Sequence, residues 1–260
     1  VVNFWVGLRY LYRPGQKVGL TASLAFDSSI KQLFPPLLQG ASIVLVEDNV
    51  KKDPAQYLSL IREHSIEIVD GTPSFLKELL QFAEYKNSWP SSVKTILAGG
   101  EQVTKSLLDM VSTVCQEAQT ELLNLYGVTE AGVDSTMKKL SSGEAVSIGK
   151  PLPNTQLYVL NEYGNLCAPG QWGVLYIAGA GLAHEYLNRD ELSNARFVTI
   201  PQAPKAYKTG NKERWNMVGE LEFLGRLDNQ LKIRGYRVEP EEIAAKLEDH
   251  SEVSQAYIHV

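Results

Sequence analysis

The first two-thirds of the chain repeat one unit, a short apolar run followed by a helix with a start signal. That alternation restricts the fold more than any other feature. Residues 17–25 read as a strand, and 41–46 as another, short and rich in β-branched side chains. Asp53-Pro54 opens a helix to about residue 64, with proline at the first helical position. A strand at 66–69 precedes Thr72-Pro73 and a helix to about residue 85. A buried strand at 95–97 ends in Ala98-Gly99-Gly100-Glu101, Thr104 caps the next helix, and 121–123 is one more strand. Repeated strand–loop–helix units predict an α/β fold with a mostly parallel sheet flanked by helices. Ligands bind such sheets at the carboxyl ends of the strands. Asp70, the Gly99-Gly100-Glu101 turn and the stretch 124–130 all fall there.

The texture changes after about Gly149. Short strands at 155–160, 173–177 and 219–224 alternate with Gly, Pro and Asn turns, as in a small β-barrel-like subdomain. After Asp228 a strand at 230–233, a Gly235 turn, a helix from Glu239-Pro240 to about Asp249 and a strand at 257–260 begin a small α+β carboxyl-terminal subdomain. The expected division is 1–149, 150–227 and 228–260.

The chain has 260 residues, of which 44% are hydrophobic and 21% charged, enough for a substantial core. A net charge of −5 argues against a nucleic-acid surface. The apolar runs are too short to cross a bilayer, and no amino-terminal segment reads as a signal peptide. Two unclustered cysteines, Cys115 and Cys167, fit a reducing cytoplasm. The histidines (His64, His184, His250, His259) lack metal-ligand spacing.

Residues 124–130, Asn-Leu-Tyr-Gly-Val-Thr-Glu, put a ring, a glycine, a hydroxyl and a carboxylate into one short loop. The ring can lie on a nucleobase, and Gly127 lets the backbone turn close to a ligand. Thr129 can donate to a phosphate oxygen, and Glu130 can hold a hard cation such as Mg²⁺. The same residues also suit a plain Tyr-Gly turn with a Thr-Glu helix cap.

Five motifs in order resemble those of adenylation domains of nonribosomal peptide synthetases, in the acyl-adenylate-forming superfamily. Phe26-Asp27-Ser28-Ser29 is similar to Phe-Asp-x-Ser, and residues 124–130 to N-x-Y-G-P-T-E with Val128 in place of Pro. Residues 173–187 (GVLYIAGAGLAHEYL) resemble G-E-L-Y-I-x-G-x-G-L-A-R-G-Y-L. Residues 207–211 resemble Y-R-T-G-D, and 225–242 (GRLDNQLKIRGYRVEPEE) resemble G-R-x-D-x-Q-V-K-I-R-G-x-R-I-E-x-x-E.

The resemblance implies a two-step reaction. An amino-acid carboxylate attacks the α-phosphorus of Mg-ATP, and the acyl group then passes to the phosphopantetheine thiol of a carrier protein. Positioning and charge stabilisation dominate such chemistry. Thr129 and Glu130 take the catalytic roles, Thr129 at phosphate and Glu130 at Mg²⁺. Gly100, Asn124, Tyr126, Gly127, Asn211 and Arg226 form the nucleotide site, with Asn124 and Tyr126 at the adenine and Arg226 near the ribose. Asp228 is the hinge. Asp27 binds the α-ammonium, although on local grounds it also suits a helix cap.

The positions matching the side-chain pocket are Asp27, Ser28, Lys31, Asp70, Leu97, Gly99, Leu125, Val133 and Asp134. A lysine in a semi-apolar pocket, as at Lys31, needs a counter-charge. A substrate γ-carboxylate supplies one, so glutamate is the first choice, glutamine the second and a basic side chain the third. Asp70 or Asp134 can instead neutralise Lys31, and Lys31 can also be solvated on a helix face.

Three departures from the pattern carry expectations. Asn211 stands where the family has an Asp for the ribose hydroxyls, and the missing charge is expected to weaken nucleotide affinity. The family's phosphate loop would precede Val1 and its late lysine would follow Val260, so these residues alone are expected to be inactive. A degenerate scaffold module is the alternative. Expected partners are a carrier protein, neighbouring synthetase domains and a small MbtH-like accessory protein, with neither nucleic acid nor membrane among them.

Overall fold

The structure is a computed structural model and describes residues 1–233, 236–250 and 252–258. Helix α1 (Val2–Leu8) leads through one 3-10 turn (Arg9–Leu11) to β1 (Lys17–Leu20). Then come α2 (Ser28–Leu38), β2 (Ser42–Leu45), the short α3 (Asp48–Lys51), α4 (Pro54–His64) and β3 (Ile68–Gly71). Next are α5 (Pro73–Lys86), β4 (Thr95–Ala98), α6 (Lys105–Val114), β5 (Glu121–Tyr126), β6 (Thr136–Leu140) and β7 (Lys150–Pro151). The seven strands form one sheet in the order β2-β1-β3-β4-β5-β6-β7. Pairs from β2 to β5 are parallel, and β6 and β7 are added antiparallel.

The helix starts follow from their caps. Asp53 accepts from the backbone N–H of Ala55 (2.9 Å) and Gln56 (3.2 Å), with Pro54 next in line. Thr104 accepts from the Leu107 N–H at 3.2 Å. α4 and α5 end on left-handed residues, Ser65 and Asn87. On the strands the alternation of side chains feeds two cores. Ile96 and Leu122 face α4, α5 and α6 with Leu58, Leu76, Leu80 and Leu107. Leu97 and Leu123 face the other way, onto Phe4, Leu8, Ile68 and Leu152. Burial on both faces explains the continuous apolar runs.

A second, antiparallel sheet follows, built from β8 (Thr155–Leu160), β9 (Gly173–Gly179), β10 (Phe197–Ile200), β11 (Ala203–Trp215) and β12 (Leu221–Arg226). Its order is β10-β11-β9-β8, and β12 also pairs with β11. Helix α7 (Asp190–Arg196) precedes β10. The hairpin β13 (Leu231–Ile233) and β14 (Tyr236–Val238) and helix α8 (Pro240–Glu248) complete the described chain. Both cysteines are free.

Several expectations change. The strand expected at 17–25 stops at Leu20 because the Gln32 Oε1 accepts from the Thr21 and Ala22 N–H groups at 2.8 and 2.9 Å, drawing the backbone off the sheet. The strand expected at 121–123 runs to Tyr126, since β4 pairs it on one side and β6 on the other. Asn124 and Tyr126 are therefore strand residues and not loop residues. Tyr257 and Ile258 form no strand; Gly235 and residues 259 and 260 lie outside the described residues.

Ile96 is fully buried at the centre of the first sheet. Ile96→Ala is expected to reduce stability by about 2 to 5 kcal/mol, the cost of a buried cavity, read from urea unfolding.

Candidate functional site

The carboxyl ends of β3, β4 and β5 converge on one side chain from α2. Lys31 Nζ lies 3.1 Å from Asp70 Oδ2 and 3.4 Å from Asp134 Oδ2, with side-chain exposures of 3%, 5% and 7%. Lys31 is thus on a helix but not solvated. The backbone leaves room for it at Gly99, where an added Cβ would lie 3.2 Å from the Leu125 carbonyl oxygen and 3.7 Å from Lys31 Nζ. Leu97 and Leu125 are buried in the apolar layer beside it. Burial alone would pull the Lys31 ammonium down, but Asp134 and Asp70 outweigh it and hold it above its ordinary value. Burial pushes the Asp70 carboxyl up to about 6, against the pull of Lys31. Burial raises Asp134 as well. Burial thus favours the protonated form of both acids around the one cation.

Asp27 precedes α2 but makes no side-chain capping bond. Its Oδ2 instead accepts from the Thr129 hydroxyl at 2.5 Å, joining the start of α2 to the loop after β5. Ser28 is half-buried behind it. The loop is tightly folded. A Cβ on Gly127 would meet the Val133 carbonyl oxygen at 2.1 Å, so only glycine fits. Val133 itself has φ +83°, a costly conformation for a β-branched residue. It is held between the Ser135 N–H bond to the Tyr126 carbonyl (2.7 Å) and the Asp134–Lys31 contact. Gly100, exposed with φ +83°, turns the chain after β4.

Glu130 is buried. Its Oε1 accepts from the Tyr186 hydroxyl at 2.5 Å and from Arg237 Nη1 at 2.8 Å, whereas Oε2 has no hydrogen-bond partner among the described residues. Burial would raise this carboxyl, but Tyr186 and Arg237 overcome it and hold it below its ordinary value. An ionised carboxylate with one free buried oxygen fits a single protein ligand for a hard cation that takes its other ligands from phosphates and water. Among the described residues no group of three His, Cys, Asp or Glu could hold a metal by itself. The β13–β14 hairpin covers this rim, with the Tyr236 ring edge-on to Phe26 at 5.2 Å. One open hollow lies against α8, with Arg237 in its lining, and another beside α1.

Of the expected nucleotide residues, Tyr126, Asn211 and Arg226 form a second cluster. Asn124 donates to the Ser147 carbonyl at 2.8 Å. The Tyr126 ring packs near Phe223 at 6.5 Å, and its hydroxyl accepts from the Asn211 amide. Asn211 Oδ1 accepts from Arg226 Nη1 at 2.6 Å, and Arg226 grips Asp228 at 2.6 and 2.8 Å. Arg196 also reaches Asp228, at 3.3 Å. The hinge candidate is therefore tied through two side chains to the Tyr126 ring.

Sequence reading overlooked Tyr186, Arg237 and Glu213. Tyr186 and Arg237 stand within the recognised motifs, which was the available signal. Glu213 lies in an Asn-Lys-Glu-Arg run (211–214) that reads as a solvated edge, yet it is fully buried beside Tyr126 and Asn211.

The profile of the family described as AMP-binding enzyme matches residues 1–187. Tyrocidine synthase 3 of Brevibacillus parabrevis is 35% identical over 254 residues, covering 95% of this chain and 4% of that protein. The dimodular nonribosomal peptide synthase of Bacillus subtilis (strain 168) is 36% identical over 267 residues, covering 99% of this chain and 11% of that protein. Among solved structures, a four-domain nonribosomal peptide synthetase bound to AMP and glycine superposes with TM-score 0.78 at 33% identity, over 98% of this chain and 19% of that one. The Vibrio cholerae adenylation domain AlmE, in complex with glycyl-adenosine-5'-phosphate, gives 0.80 at 26% identity, over 92% and 46%. The chain belongs to the AMP-binding enzyme family, with nonribosomal peptide synthetases as its relatives. It spans only a small part of the curated relatives it matches. Among the described residues no helix is long and apolar enough to cross a membrane.

Burial raises the Glu213 carboxyl from its ordinary 4.5 to about 8. The unfolded chain releases that proton at lower pH, so stability falls as pH rises from about 4.5 to about 8. Glu213→Gln removes this term. The variant's melting temperature is expected to gain on the parent's between about pH 5 and about pH 8.

Proposed function

We propose that this chain is the amino-acid-activating unit of a nonribosomal peptide synthetase. In this reading it joins an amino acid to AMP from ATP, releases pyrophosphate, and passes the acyl group to the phosphopantetheine thiol of a carrier protein. The observation that carries the reading is the stack of charges behind the sheet edge: Asp27 bonded to Thr129, and below them Lys31 between Asp70 and Asp134. Asp27 offers a carboxylate to the α-ammonium. Lys31 offers a buried cation to the side chain, so glutamate is the substrate of choice and glutamine the second.

A γ-carboxylate would be the third acid around one ammonium. It fits when Asp70 or Asp134 holds a proton, and burial inclines both that way. The apolar walls are Leu97, Leu125 and Val133, with Gly99 and Ser28 leaving space. On the nucleotide side, Tyr126 and Asn124 take the adenine, Asn211 and Arg226 the ribose, and Gly100 and Gly127 allow close backbone approach. Thr129, once its hydroxyl turns from Asp27, would donate to phosphate, and Oε2 of Glu130 would hold Mg²⁺, whose charge would offset that of the phosphates. Asp228 is the hinge between a core, 1–149 with 150–227, and the unit begun at 228–260. Neighbouring synthetase domains and an MbtH-like protein are the further partners, and the reaction belongs in the cytoplasm.

Pyrophosphate exchange by the full-length polypeptide tests this. Exchange is expected to depend on glutamate. Exchange with glutamine alone would select the second choice, and none with any amino acid would leave a scaffold. Removing one charge of each sign, Lys31→Met with Asp70→Asn, is expected to raise the glutamate KM roughly tenfold to a hundredfold and leave the ATP KM unchanged.

A further inference from the structure

Position 211 carries an amide, and a carboxyl is buried two residues further along the same strand. In β11 residues 211 and 213 lie on one face. Glu213 is fully buried, opposite Phe223 of β12 and Gly173 of β9. Its polar neighbours are the Tyr126 hydroxyl and the Asn211 amide, and neither of its oxygens makes a hydrogen bond of regular geometry. An apolar side chain of similar volume would fill this space without the desolvation cost of a carboxyl.

The neighbours explain what the carboxyl does there. Asn211 is spent at both ends, its Oδ1 on Arg226 and its Nδ2 on the Tyr126 hydroxyl. That hydroxyl, accepting from Asn211, keeps one proton that needs an acceptor in a dry place. Glu213 is the group within reach. When Asn211 turns its amide to a ligand, a protonated Glu213 can donate to the same hydroxyl and keep the ring in place.

We propose that Glu213 is a positioning residue of the nucleotide site, which holds the Tyr126 ring and the Asn211 amide for a nucleoside monophosphate and supplies from within the sheet the carboxyl that position 211 lacks. The proposal rests on the functional reading above only in taking this cluster as the nucleotide site.

The test is calorimetric titration of the full-length polypeptide with AMP, and separately with glutamate. Glu213→Leu is expected to weaken AMP binding about tenfold, the worth of one buried polar contact, and to leave glutamate binding unchanged. Glu213→Gln, which keeps a donor and an acceptor, stays within about twofold of the parent. Asn211→Asp alone binds AMP no more tightly, because it sets a second carboxyl beside the first. Asn211→Asp with Glu213→Leu recovers the affinity that Glu213→Leu lost. AMP binding unchanged in a folded Glu213→Leu, or no recovery in the double variant, overturns the proposal. If Glu213→Leu does not fold, Asn211→Asp is compared with Asn211→Asp plus Glu213→Gln. Tighter binding by the double variant supports the proposal, and equal binding overturns it. A parent that fails to bind AMP overturns this inference and the nucleotide site together. A parent that binds AMP but shows no amino-acid-dependent exchange sinks only the functional reading.

Discussion

One buried ammonium joins three distant parts of the chain. Lys31 comes from α2, Asp70 from the end of β3 and Asp134 from the loop that follows β5. Removing the ammonium from such a cluster leaves buried carboxyls without their counter-charge, at a cost of about 3 to 5 kcal/mol. The cluster therefore fixes where α2 lies on the sheet and holds the loop in a conformation that Val133, at φ +83°, would not adopt by itself. A chemical consequence follows from the same contacts. The cluster holds two acids to one base, so burial presses on the carboxyls more than on the ammonium.

A second set of contacts couples the two sheets. The loop from Gly127 to Ser135 wedges between them, with Tyr126, Val128 and Ala131 packed on the core formed by Leu157, Leu175, Ile177 and Leu221. Above it a polar chain runs from Tyr126 through Asn211 and Arg226 to Asp228. On the far side Arg237 of the hairpin reaches back to Glu130. The ring, the carboxylate and the segment after β12 are thus linked by side chains from both sheets. Displacing Arg237 from Glu130 would act directly on a contact that holds the hairpin in place.

Much of the first sheet was readable because its signals are local. The caps at Asp53, Thr72 and Thr104 and the β-branched strand runs need no information from elsewhere in the chain. α2 was foreseen only as an alternative around Asp27 and Lys31, since Pro35 and Pro36 argue against a helix yet sit inside one. β6 and β11 were hidden because their charged side chains break the apolar alternation. The site divided the same way. Asp27, Thr129 and Glu130 stood out through their motifs, whereas Glu213 carried no local mark of burial.

By itself the sequence determined the repeating units, the mostly parallel sheet, the family and the edge at which chemistry-bearing residues collect, since each follows from short-range patterns of polarity, caps and motifs. Only the tertiary structure decided what those residues touch: that Lys31 is shared by two acids, that Arg237 and Tyr186 hold one oxygen of Glu130, and that a carboxyl lies beneath Tyr126. Partnership between charges far apart in the chain depends on how sheets and helices pack, and packing brings together residues whose neighbours in sequence say nothing about one another.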